Sequence, residues 1–255
     1  MSRRVHASIP WLRLEEHLEL FIARRVNPEV NLSAEALDNM DLTLLKGQAV
    51  RLRQVGLTAS VHAAFMDLNP GSLDSTIRNA TRQRFEQVFS AAELLQPKVI
   101  VFHPGYDDLR YGDYRQAWLD NSIAFWREML PLAKGVGCRI AVENIFEKEP
   151  SILKELLTAI DDASFRHCFD VGHWNMFHTG TLEQWFAVMG GFVVESHIHD
   201  NFGLRDDHLP LGEAEIDFDL FFSLLKQHAP DAVWTIEAHT IERMERALVN
   251  IAKYF

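Results

Sequence analysis

Val99-Ile100-Val101-Phe102-His103-Pro104-Gly105 is an unbroken apolar run, then an imidazole, then two residues that turn the chain. Four consecutive apolar residues fit a strand buried on both faces, as in a parallel sheet covered by helices. The Pro-Gly turn leaves His103 at the strand's mouth. Five more apolar runs end the same way. His62 stands in Ser60–Phe65, Glu143 in Ile140–Ile145, Asp170 in His167–His173, His197 in Val193–Asp200 and Glu237 in Trp234–His239. Successive gaps are 41, 40, 27, 27 and 40 residues, each about one strand, one helix and two loops. If these strands close into a ring, six potential ligands converge on one rim.

The intervening pattern supports a ring. Extended runs are expected near 5–9, 29–33, 58–63, 98–103, 139–143, 166–170, 193–199 and 233–237. Amphipathic stretches at 12–25, 35–55, 74–95, 114–135, 151–161, 181–190, 217–228 and 241–253 alternate with them. Eight strands alternating with eight helices over 255 residues predict one α/β domain, residues 1–255, folded as a (β/α)8 barrel with its site at the C-terminal ends of the strands. A doubly wound open sheet would carry a glycine-rich turn after its first strand. Ile9-Pro10-Trp11-Leu12 is no such turn.

Composition narrows the function classes. The chain has 36 acidic and 25 basic residues, a net charge of −11, which disfavours long nucleic acid as a partner. No apolar run approaches the 18 or so residues of a membrane span. The opening Met1–Trp11, with Arg3 and Arg4, does not read as a signal peptide. Cys138 and Cys168 open apolar strands and read as small buried hydrophobes. The expectation is a cytoplasmic protein.

Glu143, Asp170, His197 and Glu237 end four successive strands, five to eight. Carboxylates sharing one mouth repel, and a cation resolves the repulsion. Two or three carboxylates with one imidazole suit Mn²⁺, Co²⁺ or Mg²⁺, and added histidines favour Zn²⁺. Gly172 lets His173 fold back beside Asp170. His199 shares a strand face with His197 and reads as a supporting residue. Arg205 is a candidate clamp for a substrate phosphate or carboxylate, against the plainer reading of a solvated loop arginine. Phe65, Tyr106, Trp174 and Phe202 are candidates for the apolar walls of a ligand pocket, against the plainer reading of packing.

The segments at 103–105, 142–144, 169–173, 196–200, 209–213 and 236–239 resemble the xylose-isomerase-like TIM barrel superfamily, over roughly residues 58–240. That superfamily holds sugar phosphate isomerases and epimerases together with endonuclease IV. In its ketose epimerases one metal is held by residues matching Glu143, Asp170, His197 and Glu237, and the two glutamates also exchange the substrate proton. A histidine matching His173 and an arginine near Arg205 hold sugar oxygens. In endonuclease IV three zinc ions are bound at positions matching His62, His103, Glu143, Asp170, His173, His197, Asp206, His208 and Glu237. The resemblance therefore implies one to three divalent ions (Mn²⁺, Co²⁺, Mg²⁺ or Zn²⁺).

It further implies a small sugar or polyol substrate with contacts from His62, Trp174 and Arg205, and, as barrels of this kind often pair, a homodimer. Catalysis would fall to Glu143 and Glu237, with His173 orienting the substrate. The leading expectation is an isomerase or epimerase working through an enediolate. Zinc phosphodiesterase action on abasic DNA or a small phosphoester, a lyase or dehydratase using the same enolate chemistry, and an inert metal or sugar binder are the alternatives. The acidic loops at Tyr106–Asp108, Glu147–Glu149 and Asp206–Asp207 weigh against DNA.

Overall fold

The computed structural model describes residues 5–255; Arg3 and Arg4, part of the N-terminal reading above, lie outside the described residues. Eight parallel strands close into a barrel in sequence order. They are β1 (Val5–Pro10), β2 (Asn27–Asn31), β3 (Ser60–His62), β4 (Val99–Phe102), β5 (Arg139–Glu143), β6 (Phe165–Asp170), β7 (Val193–Ile198) and β8 (Val233–Ile236). Closure comes from β1 pairing with β8, Val5 opposite Trp234 and Ala7 opposite Ile236. The helices α1 (Trp11–Arg24), α2 (Ala34–Asp38), α3 (Leu42–Gln54), α4 (Ser75–Leu95), α5 (Asp108–Tyr111), α6 (Arg115–Val136), α7 (Ser151–Ile160), α8 (Val171–Phe177), α9 (Leu182–Met189), α10 (Phe218–His228) and α11 (Ile241–Ile251) connect them.

Three elements depart from the expected pattern, the short α5 between β4 and α6 being one of them. The helix expected over 35–55 is broken near Met40, because the Asp41 carboxylate accepts from Thr43 N and Leu44 N and so starts a new helix. A helix that was not expected, α8, follows β6 without a loop. The side chain of Asp170 caps it by accepting from His173 N at 2.7 Å.

The apolar layer between barrel and helices is dense in aromatics. Phe85 and Phe102 lie 4.5 Å apart, and Trp126 stacks on Phe85 and meets Phe102 edge-on. Burying such rings removes about 150–250 Å² each from water, which is why a barrel with so polar a mouth remains stable. Among the described residues no helix is long and apolar enough to cross a membrane. Cys138 and Cys168 are buried and free.

Candidate metal centre

The nine histidines and carboxylates singled out in the sequence meet at the C-terminal mouth of the barrel. Glu143 is the hub. Its Oε1 lies 2.9 Å from His197 Nδ1 and 3.4 Å from His173 Nδ1. Its Oε2 lies 3.3 Å from both His62 Nε2 and His103 Nε2. His197 Nδ1 also stands 3.4 Å from Glu237 Oε1 and 3.8 Å from Asp170 Oδ2. One ligand atom each from Glu143, Asp170, His197 and Glu237 lie within 4.8 Å of one another. On the outer side, Asp206 Oδ2 lies 3.5 Å from His173 Nε2 and 3.0 Å from His208 Nε2. Donors about 2.0–2.2 Å from a shared ion stand roughly 3–3.5 Å apart, so these spacings fit a divalent cation. At the mouth, the donor atoms that lie within 4.8 Å of one another form overlapping sets: His62, Glu143 and His197; Glu143, Asp170, His197 and Glu237; Asp170, His173 and His199; and His199, His208 and Glu237.

The local sequence explains the convergence. Asn144 ties the ends of β5 and β6 together, its amide donating to Asp170 O at 2.8 Å and its oxygen accepting from Asp170 N at 2.9 Å. Asp200 organises the long loop after β7. Its buried carboxylate accepts from Gly212 N, Ala214 N and Ile216 N, and its backbone pairs with Leu209. That folds Asp206 and His208 back over the mouth. His208 takes the left-handed backbone conformation, φ +46°, which a non-glycine residue holds only when its surroundings force it. Gly105, at φ +75°, makes the turn behind His103, and a side chain there would strike Asn69.

Gly172 has a different purpose from the one expected. It is not a tight-turn residue. A methyl group on it would overlap the ring of His199. His199 Nε2 lies 3.2 Å from either oxygen of Asp170, and His199 also belongs to two of the candidate donor sets.

Without a cation, the imidazoles supply the positive charge. Burial alone would raise the Glu143 carboxyl, but His197, with His103 and His173, holds it well below its ordinary range. Burial would lower His62; the Glu143 carboxylate overrides it and lifts His62 to about 9. His173 is raised in the same way, against burial, chiefly by Asp170 and Asp206.

Sequence reasoning missed the layer beneath. Glu29 on β2 and Glu195 on β7 are fully buried inside the barrel. Glu29 Oε2 lies 3.1 Å from His197 Nε2, so it fixes the ring with Nδ1 toward the other donors. Glu195 accepts from Ser60 Oγ and Thr235 Oγ1, and burial followed by the Glu29 charge raises it to about 8. Period-two alternation in β7 puts Glu195 on the face of His197, a signal available in the sequence.

A cavity of about 1140 Å³ opens above the cluster. His62, His103, Glu143, His173, Asp206, His208 and Glu237 face it, while Asp170 and His197 are wholly covered. Phe65 and Tyr106 line it as expected. Trp174 does not: its ring stacks 4.0 Å from His178 and lines a separate hollow of about 470 Å³. Phe202 and Arg205 lie on the exposed bend before Asp206, outside the cavity lining. The structure thus places neither Trp174 nor Arg205 at this cavity.

Comparisons with known proteins agree with this architecture. An uncharacterized protein of Methanocaldococcus jannaschii is 31% identical over 76% of this chain and 69% of its own length. The solved structure of a D-tagatose 3-epimerase-like protein superposes with a TM-score of 0.82 at 25% identity, covering 98% of this chain and 96% of that one. A Thermus thermophilus protein soaked with ZnCl₂ matches with a TM-score of 0.79 at 23% identity, over 100% and 98% of the two chains. The model of the xylose isomerase-like TIM barrel family matches residues 26–253, and the chain belongs to that family.

Proposed function

We propose that the protein is a metal-dependent isomerase or epimerase of a sugar, sugar phosphate or related polyol. The observation that carries this reading is the placement of two carboxylates around one donor set. Glu143 and Glu237 flank His197 Nδ1 at 2.9 and 3.4 Å, come from β5 and the end of β8, and both face the cavity. A divalent cation held by Glu143, Asp170, His197 and Glu237 would supply Lewis-acid polarisation of a substrate carbonyl. The protein's own groups do the rest. Glu237 and Glu143, on opposite sides of a carbon next to that carbonyl, remove its proton and return one to the other face. His173, its Nδ1 fixed 3.1 Å from Asn144 O, presents Nε2 to a substrate hydroxyl. The apolar side chains above the site keep bulk water from the enediolate.

A panel of free, phosphorylated and aryl- or alkyl-conjugated ketoses in D₂O tests the reading. The wild-type protein loaded with Mn²⁺ should incorporate deuterium beside the carbonyl of one pair, and Glu143→Gln and Glu237→Gln should each lower this at least about a thousandfold. Unchanged exchange in either variant removes that glutamate from the role.

One observation favours a second reading: the mouth holds several overlapping sets of histidine and carboxylate donors, enough for more than one zinc ion in a phosphodiesterase. Three bound ions per chain with hydrolysis of bis(4-nitrophenyl) phosphate would support it. One Mn-like ion with no hydrolysis supports the isomerase. The charge of −11 weighs against duplex DNA in either case.

A further inference from the structure

We propose that the substrate carries a bulky apolar group beside its oxygen-rich, metal-facing head, so that its class is an aryl- or alkyl-conjugated sugar or polyol, not a bare or merely phosphorylated one. The head rests on the function proposed above. The apolar group is argued from the upper cavity alone. At about 1140 Å³ the cavity lies beyond the range of roughly 300–1000 Å³ that serves drug-sized ligands, and the donors occupy only its floor.

The walls above the donors are apolar on several sides. Phe65 follows β3 and stacks 4.2 Å from His103, edge-on to His62 at 5.5 Å. Phe146, after β5, meets Phe177 of α8 at 5.3 Å. Met66, Met176 and Met244 line the same space. Phe65, Met66 and Phe146 leave 41, 71 and 49% of their surface in water, a large exposure for such side chains around one opening. Thioethers adapt to irregular apolar shapes, which suits a substituent in place of a fixed pattern of hydroxyls.

Several polar side chains of the wall are already engaged, although the Asn31 oxygen is buried without a partner. The Asn69 amide donates to Gly105 O and Tyr111 Oη, and its oxygen accepts from Gly71 N and Trp118 Nε1. Asn31 donates to Ser8 Oγ at 3.0 Å, Asp107 caps α5 and Thr240 caps α11. A bare polyol entering here would shed water from its outer hydroxyls and find few partners for them. Of the two arginines that line the cavity among the described residues, Arg13 is engaged with His17 at 2.7 Å, which leaves Arg110 alone to meet a phosphate.

Hydroxamates test the inference without the true substrate, because they chelate a divalent ion and mimic an enediolate whatever reaction the site performs. The Mn²⁺-loaded protein is titrated calorimetrically with acetohydroxamate, 4-phenylbutyrohydroxamate and phosphoglycolohydroxamate. The aryl probe should bind at least about thirtyfold tighter than acetohydroxamate, and this ratio should shrink at least about fivefold in Met66→Gln and in Phe146→Asn. Val249→Gln, an exposed position on α11, should leave the ratio as it is. Equal affinities, the phosphorylated probe binding tightest, or a ratio that survives both cavity variants would overturn the inference. A ketose panel that shows no turnover would refute the proposed isomerisation and leave the hydroxamate ranking to stand or fall by itself.

Discussion

Gly172→Ala places one methyl group where the structure has no room. Ideal geometry puts the new Cβ inside the His199 ring, overlapping Cε1, Nε2 and Nδ1. Gly172 lies in α8 and His199 follows β7; both are fully buried, so neither backbone yields easily. The ring is also stacked 3.9 Å from His208, which limits its retreat. Forcing a methyl into such a site costs about 1–3 kcal/mol. Displacing the ring also breaks its 3.2 Å contact with the Asp170 carboxylate, worth about 1.5–3 kcal/mol for a buried hydrogen bond to a charged group. Both costs arise from one displacement, so they overlap, and we expect about 2–4 kcal/mol of lost stability in the metal-free protein.

Asp170 also loses the group that orients it, so affinity for Mn²⁺ or Zn²⁺ should fall about 10–100-fold. Urea unfolding gives the first quantity and competition with a chromophoric chelator the second. Gly47→Ala is the matched control: nothing lies within 4 Å of its added Cβ, and in the middle of α3 it should stabilise by about 0.5–1 kcal/mol. If Gly172→Ala unfolds and binds metal like the wild type, the close approach of α8 to His199 is not what the glycine is for.

Two more outcomes follow from the charges. Metal ligands must be deprotonated, and in the metal-free protein His197 is raised well above its ordinary value, against burial, by anionic neighbours that include Glu237, Glu29 and Glu143. Loading at pH 7 should therefore release at least about one proton per chain, seen as a dependence of calorimetric heat on buffer ionisation enthalpy, and none if His197 is already neutral. His167 is fully buried with Nδ1 2.7 Å from Val142 O, and burial lowers it to about 4. A base depressed from 6.5 stabilises the fold fully above about pH 6.5 and loses that contribution as pH falls toward 4. The acid limb of stability in the metal-free protein should be less steep in His167→Gln; an identical slope would show that His167 takes up its proton without unfolding.

The barrel was legible because six of its eight strands announce themselves twice, by an apolar run and by a reactive residue at the end. Even β2, whose apolar run is short, lies at Asn27–Asn31, two residues before the expected start. What escaped was whatever depends on side chains doing double duty. Asp170 reads as a ligand candidate, and nothing in its type reveals that one oxygen also starts α8. Asp41 inside a long amphipathic stretch looks like a solvated helix residue until its carboxylate is seen capping two amides. Trp174 was expected at the cavity as an apolar wall and Arg205 as a substrate clamp, but α8 turns the indole onto His178 and the bend at Gly203 leaves Arg205 in solvent. Glu29 meets His197 across 168 residues of sequence, a separation no local pattern can bridge.

Charge balance at the mouth links the number of ions to the reaction. Glu143, Asp170, Asp206 and Glu237 bring four negative charges, and the five imidazoles are neutral when they act as ligands. One divalent ion leaves two charges uncompensated in a buried site. Protonated imidazoles must then make up the difference, and His62 and His173, both raised by their carboxylate neighbours, are placed to do so. A site in that state offers a proton from His173 to a substrate oxygen, as an isomerase needs. Three ions would instead displace those protons and leave two positive charges in excess, a site that attracts a phosphoester. The ion count and the proton count are therefore one measurement. A protein that binds a single ion and releases a proton or two belongs to the first case; one that binds three and releases every imidazole proton belongs to the second.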